Sequence, residues 1–81
     1  MTTDQTRLTS AARLWAAHNY PYLASALFAL RILPGEPGLE MSVDANWRVY
    51  VDPNSLAEVP TDLVGFQLVH LTGHLLRDHA Q

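Results

Sequence analysis

Residues 68–79 read Leu-Val-His-Leu-Thr-Gly-His-Leu-Leu-Arg-Asp-His and hold three of the four histidines in the chain. His70 and His74 are spaced i, i+4. On a helix, residues at this spacing share a face and lie about 6 Å apart along the axis, so two imidazoles can converge on one ion. The spacing is that of the His-Glu-x-x-His zinc motif, with Leu71 in place of its glutamate. The stretch therefore predicts a metal site that lacks the usual general base.

A longer apolar segment around this stretch predicts one helix from about Asp62 to Leu76 or beyond. Thr61 can cap the first turn, and the Asp62 carboxylate suits the positive N-terminal end of a helix. Apolar side chains cover most of the circumference, which predicts that the helix is buried and central. They belong to Leu63, Val64, Phe66, Leu68, Val69, Leu71, Leu75 and Leu76.

Two residues near the end of this helix are candidates for a third metal ligand. Asp78 continues the four-residue spacing, but it would lie about 12 Å along the axis from His70. His79 lies opposite His70 on an unbroken helix, so it can join the ion only if the helix ends near Arg77. We favour His79 as the ligand, with Asp78 as an alternative ligand or a hydrogen-bond acceptor for a ligand histidine. Cysteine is absent, which leaves His, Asp and Glu as the plausible ligands. Zn²⁺ is the expected ion for neutral imidazoles with an open position, with other divalent transition metals as alternatives.

The first part of the chain predicts two helical segments. Residues 1–9 are polar and are expected to fray, whereas apolar residues recur at helical spacing from Ala11 to about Leu30. Pro21 interrupts this run, because a proline inside a helix removes a hydrogen bond and clashes with the preceding turn. We therefore expect a break near residues 18–20, with Pro21 as the first residue of the second segment.

A β-hairpin is predicted next, after a loop at residues 34–38 that contains two prolines and two glycines. Segments 39–43 and 47–51 carry apolar residues at period two, and a short turn at 44–46 joins them. In the second strand, one face carries Trp47, Val49 and Val51. Tyr50 lies on the other face. If the hairpin lies beside the metal, its phenol could contact a substrate or act as an oxyanion contact.

Side chains around the histidines are expected to line a pocket beside the metal. Leucine in place of glutamate would make this pocket drier and wider. The pocket residues are expected to be Phe66, Gln67, Leu71 and Thr72. We expect core positions for the large aromatic residues, namely Trp15, Tyr22, Phe28, Trp47 and Phe66.

Length and composition predict one α+β domain over residues 1–81. The apolar fraction of 48% suits a folded domain, and the net charge of −3 without a basic stripe argues against nucleic acid as a partner. No segment reaches the roughly 18 apolar residues of a membrane span. The first residues lack a signal-peptide pattern, so we expect a cytoplasmic protein. The expected partners are a metal ion and a small-molecule or peptide ligand, and the oligomeric state is left open.

The order of helices, hairpin and histidine helix resembles a zincin-type domain. More narrowly, the chain is similar to the predicted metallopeptidase-like domain found ahead of von Willebrand factor A-like domains in bacterial proteins. The family pattern is His-Glu-x-x-His-x-x-x-x-His, and the resemblance implies zinc ligands at His70, His74 and His79. It implies a minimal zincin-like fold with N-terminal helical segments, a hairpin and a C-terminal metal-binding helix. The similar residues lie at 11–15, 21–23, 43–53 and 68–79.

Three functions are compatible with these features, and whether the domain is an enzyme is open at this point. The first is a zinc-binding metallopeptidase-like domain with impaired or no peptidase activity, because Leu71 cannot act as a general base. The second is an altered or engineered metalloenzyme that uses an open, Lewis-acidic zinc ion on a small carbonyl compound or ester. The third is a non-catalytic interaction module that the metal stabilises.

Overall fold

The computed structural model describes residues 3–38, 41–56 and 58–79, with side chains through Arg77. The elements follow in the order α1 (Thr3–Asn19), a 3₁₀ turn (Pro21–Leu23), α2 (Ala24–Ala29), β1 (Arg31–Pro34), β2 (Ser42–Val43), β3 (Arg48–Val51), a second 3₁₀ turn (Pro53–Ser55) and α3 (Thr61–His79). The predicted α+β class is confirmed. No helix in the described part of the chain is long and apolar enough to cross a membrane.

Helix α1 begins earlier than the sequence indicates. The prediction that the first nine residues fray is wrong for residues 3–9, which are helical. The reason is packing, because Leu8 contacts the core and Thr9 is buried. The Thr9 hydroxyl is satisfied within the helix, where it donates to the Thr6 carbonyl at 2.8 Å. The predicted break is confirmed, since α1 ends at Asn19 and the 3₁₀ turn begins at Pro21.

The sheet has three strands in the order β1-β3-β2. β2 and β3 pair antiparallel, with Val43 opposite Val49, which confirms the hairpin. The predicted first strand is shorter than expected, and its residues 39 and 40 lie outside the described part. β1 was not predicted as a strand. It pairs parallel to β3, with Ile32 beside Val49, and makes β3 the central strand.

Helix α3 packs along α1 over one face, and the contact depends on a glycine. A Cβ atom added at Gly65 would lie 2.4 Å from Cε3 of Trp15 and 2.9 Å from the Ala12 carbonyl oxygen. Only a residue without a side chain allows this approach. The same face of α3 buries Leu68 in the core. The whole buried apolar core comprises Ala12, Ala16, Leu27, Leu30, Val49, Val51, Leu56, Val64, Leu68 and Leu75.

The opposite face of α3 is exposed, so the prediction that this helix is buried all round is wrong. Leu63 and Phe66 are each 54% exposed. The core prediction is also wrong for Tyr22 and Phe28, which are mostly exposed. An 81-residue chain has too small an interior to enclose a helix on all sides, so apolar residues remain on the surface. Exposure of this face places His70 and His74 in contact with solvent.

The hairpin turn is organised by the carboxylate of Asp44. Its oxygens accept hydrogen bonds from the backbone N–H groups of Asn46 and Arg48, from Nε of Arg48 and from the hydroxyl of Tyr50, at 2.8–3.2 Å. The chain then passes through Trp47 with φ of 63°, a conformation that is strained for a bulky residue. These bonds hold the turn in that conformation and orient β3.

We expect Asp44→Asn to lower the melting temperature at pH 7. Burial opposes ionisation of Asp44, but hydrogen bonds from Arg48, Asn46 and Tyr50 outweigh it, so the pKa of the carboxyl lies below its ordinary value. A depressed folded-state pKa stabilises the fold above the unfolded pKa of about 4, and this stability is lost as the pH falls through the folded pKa. The difference between wild type and variant, measured by thermal melts, should therefore shrink below about pH 4. A constant difference across pH would contradict this origin; the exposed Glu58→Gln is the control.

Candidate metal centre

His70 and His74 lie one turn apart on the exposed face of α3. Their Nε2 atoms are 3.0 Å apart, and the two rings meet edge to face with centroids at 4.5 Å. The helix positions both side chains, because burial of Leu68 and Leu75 on its other faces fixes its rotation. Two nitrogen atoms thus point at one place on the surface.

The donor chemistry of this pair fits a zinc ion. Zinc binds neutral imidazole at about 2.0–2.1 Å, and a tetrahedral angle then separates two nitrogen ligands by about 3.3 Å. The observed 3.0 Å between Nε2 of His70 and Nε2 of His74 is close to that value. Without a shared ion, this distance is that of a hydrogen bond, in which Nε2–H of one ring donates and Nε2 of the other ring accepts. Little side-chain movement would exchange that hydrogen bond for a shared ion.

The end of α3 bears on the third ligand. The helix continues through His79 and does not end near Arg77, so residue 79 lies about 180° around the axis from residue 70. The side chains of Asp78 and His79 lie outside the described part of the chain, and both stay predictions as ligands. Among the side chains that the structure describes, no group of three or more His, Asp or Glu residues could hold one ion.

A pocket of about 460 Å³ opens beside His70. Its size is in the range of about 300–1,000 Å³ that is typical of small-molecule sites. Two of the expected pocket residues, Gln67 and Leu71, lie in its wall. Leu71 lines the pocket next to His70, so this wall is apolar beside the histidine. The remaining lining residues are Gly38, Met41, Val51, Asp52, Ser55, Leu56, Val59 and Val64.

The polar wall facing α3 was not expected from the sequence. The Asp52 carboxylate accepts hydrogen bonds from the backbone N–H groups of Gly38 at 2.8 Å and Asn54 at 3.0 Å. The Ser55 hydroxyl donates to the Asp52 carbonyl at 2.9 Å. These bonds tie the loop before β2 to the turn after β3. The Asp-Pro-Asn-Ser sequence indicates a turn, but no local signal shows that this turn faces the histidine helix.

Three other expected site residues lie away from this pocket. Thr72 is fully buried, and its hydroxyl donates to the Leu68 carbonyl at 2.7 Å. Phe66 projects to solvent from the exposed face of α3. Tyr50 donates its hydroxyl proton to Asp44 and lines a separate depression with residues of the 34–37 loop. The alternation of side chains along β3 places Tyr50 on the face opposite Val49 and Val51.

Comparisons with known proteins bear on this site. Neither the curated proteins nor the solved structures include a match to the chain. One family model matches residues 3–81, which include both helices of the α1–α3 pair, the hairpin and the histidines. The description of that family is "putative metallopeptidase domain", and a metal cofactor agrees with the geometry of the histidine pair. Because the match covers nearly the whole chain, this protein belongs to that family of metallopeptidase-like domains.

Proposed function

We propose that this chain is a zincin-like domain that binds Zn²⁺ through His70 and His74 and has little or no peptidase activity. The observation that supports it is the convergence of two Nε2 atoms at 3.0 Å on an exposed helix face. The presence of Leu71 next to His70 in the pocket wall supports the second claim, that peptidase activity is low or absent. Within one chain the proposed third ligand is His79, with Asp78 as the alternative. Because α3 continues through His79, His79 would reach the ion only by opening of the last helical turn.

The chemistry available to this chain follows from its side chains. Zinc in such a site polarises a carbonyl group and lowers the pKa of water. His70 and His74 would hold the ion, and the pocket would orient a ligand against Leu71, Val51 and Leu56. A peptidase also needs a group that accepts the proton of the attacking water, and leucine cannot do so. Loss of a general base costs about 10²–10⁴-fold in rate. The domain would therefore retain metal binding and lose most of its hydrolytic activity.

His74→Ala is expected to weaken zinc binding at least about 100-fold. Residues that only hydrogen-bond to a metal ligand and orient it contribute about 10–100-fold to metal affinity. Loss of a nitrogen atom that itself binds the ion should therefore lower the affinity by at least about 100-fold. Calorimetric titration of chelator-stripped protein measures this. His18→Ala is the matched control, because His18 lies exposed at the end of α1. Equal zinc affinity in wild type and His74→Ala would contradict the site, and so would absence of zinc binding by wild type.

The shape of the pocket favours a second function. A mostly apolar pocket beside His70 suits a small apolar ester or carbonyl compound better than a peptide chain. We propose this altered metalloenzyme activity as the alternative to a non-catalytic domain. Aryl esters of increasing size, tested with zinc-loaded protein, would identify it. Turnover that is lost on chelation and in Leu56→Trp, which fills the pocket, supports the alternative. Turnover that survives chelation excludes it.

A further inference from the structure

The exposed face of α3 carries more than the two histidines. Leu63, Phe66, His70, Gly73 and Arg77 follow one another at spacings of three and four residues. These five residues therefore lie on one side of the helix. Leu63 and Phe66 are each 54% exposed. Within the described part of the chain, this face has no partner element, since α1 packs on the other side of α3.

Gly73 is unexplained by the packing of the single chain. A Cβ atom added there would meet nothing within 4 Å, in contrast to Gly65. Glycine inside a helix costs about 1 kcal/mol relative to alanine, so internal packing gives no reason to keep it. Its position one turn from His70, on the exposed side, is where a small residue would let a second helix approach closely.

The number of ligands in the proposed zinc site also favours a second copy of the chain. Two described nitrogen ligands leave a tetrahedral ion half coordinated. The other two positions can be filled without any change in α3 if a second molecule presents the same pair. Closed sites with four protein ligands are structural, and they need no general base. A leucine at position 71 suits such a site.

We propose that two copies of this chain pair antiparallel through α3 around one shared zinc ion, which His70 and His74 of both copies bind. This rests on the proposed zinc binding by His70 and His74, with the histidines of the second copy in place of His79. Around a two-fold axis at the histidines, residues before His70 in one copy meet residues after His74 in the other. Phe66 then faces Arg77 of the second copy, an arrangement that permits a cation–π contact. The same contact covers the exposed ring of Phe66.

The mass of the full chain in solution tests this proposal. Light scattering after gel filtration should give 9.0 kDa with chelator and twice that mass with zinc. Calorimetry should show saturation at about half an ion per chain, the ratio set by four ligands from two copies. Zinc binding at one ion per chain with unchanged mass would overturn the shared site and leave the proposed zinc function standing. No zinc binding at all would overturn both.

Variants separate the shared site from a site within one chain. Gly73→Leu should keep the fold, because nothing in the described structure occupies that space, and should abolish the zinc-dependent doubling of mass while zinc still binds. Ser10→Leu adds the same side chain to an exposed position of α1 and should leave the doubling intact. His79→Ala should also retain half an ion per chain. The proposal would be overturned if His79→Ala no longer bound half a zinc ion per chain, or if the mass of Gly73→Leu still doubled with zinc.

Discussion

Zinc-loaded Leu71→Glu protein should cleave an unstructured peptide about 10²–10⁴ times faster than the wild type, the factor associated with a positioned general base. Leu71 lies in the pocket wall next to His70, so a glutamate there would present its carboxylate where a substrate and its attacking water must enter. The carboxylate would accept the proton of that water, a role that leucine cannot perform.

The assay needs a control for the change of shape. Leu71→Gln has the size and polarity of the glutamate variant without a base, and its rate should stay near that of the wild type. Nanomolar protein with excess zinc favours one ion per chain by mass action, which keeps coordination positions open to substrate. Equal rates for the Glu and Gln variants would show that the absent base is not what limits activity. Rapid cleavage by wild type would refute the proposed loss of function directly.

Gly65→Ala should be strongly destabilising. The added methyl group would lie 2.4 Å from the Trp15 ring and 2.9 Å from the Ala12 carbonyl. The carbonyl is backbone and cannot turn aside, so α1 and α3 must separate. Overpacking of a core costs about 1–3 kcal/mol, which for a domain of this size corresponds to roughly 4–24 °C in melting temperature. Thermal unfolding followed by circular dichroism measures it.

Gly73→Ala is the matched control on the same helix. Its methyl group would meet nothing within 4 Å, so only helix propensity remains, and the variant should be more stable by up to about 1 kcal/mol. The two substitutions should therefore shift the melting temperature in opposite directions. Shifts of the same sign would mean that the α1–α3 contact through Trp15 is not as close as described.

Local chemistry explains which elements the sequence predicts. A proline such as Pro21 interrupts a helical run, and the alternating segments on both sides of residues 44–46 specify a hairpin. The sequence therefore predicts the helix break and the hairpin correctly. The start of α1 was missed because it depends on the packing of Leu8 and Thr9 in the folded chain, which the local sequence does not show. β1 was missed for the same kind of reason. Its pairing with β3 is parallel and non-local, and a four-residue strand carries little periodicity of its own.

In the candidate site, too, the residues set by local helix geometry were predicted, and those set by tertiary packing were not. The spacing of His70 and His74 depends only on helix geometry, and the structure places their Nε2 atoms 3.0 Å apart. Gln67 and Leu71 follow from the same helical repeat. The opposing wall depends on how the turn at Asp52 packs beside α3, which a single sequence does not show. Adjacency in sequence does not place two residues in the same wall. Thr72 follows Leu71 directly, yet the 100° rotation per residue carries its side chain away from the pocket into the buried interior.

The sheet described above also limits how an extended peptide could be held. Strand addition needs a free row of backbone N–H and C=O groups at a sheet edge. The two edges here are β1, which ends in a proline that has no N–H to donate, and β2, which is two residues long. In the described part of the sheet, each edge therefore offers an extended chain only a short row of main-chain hydrogen bonds. We expect this domain to recognise its ligands mainly through side chains, which favours compact ligands or a folded partner surface over a linear peptide.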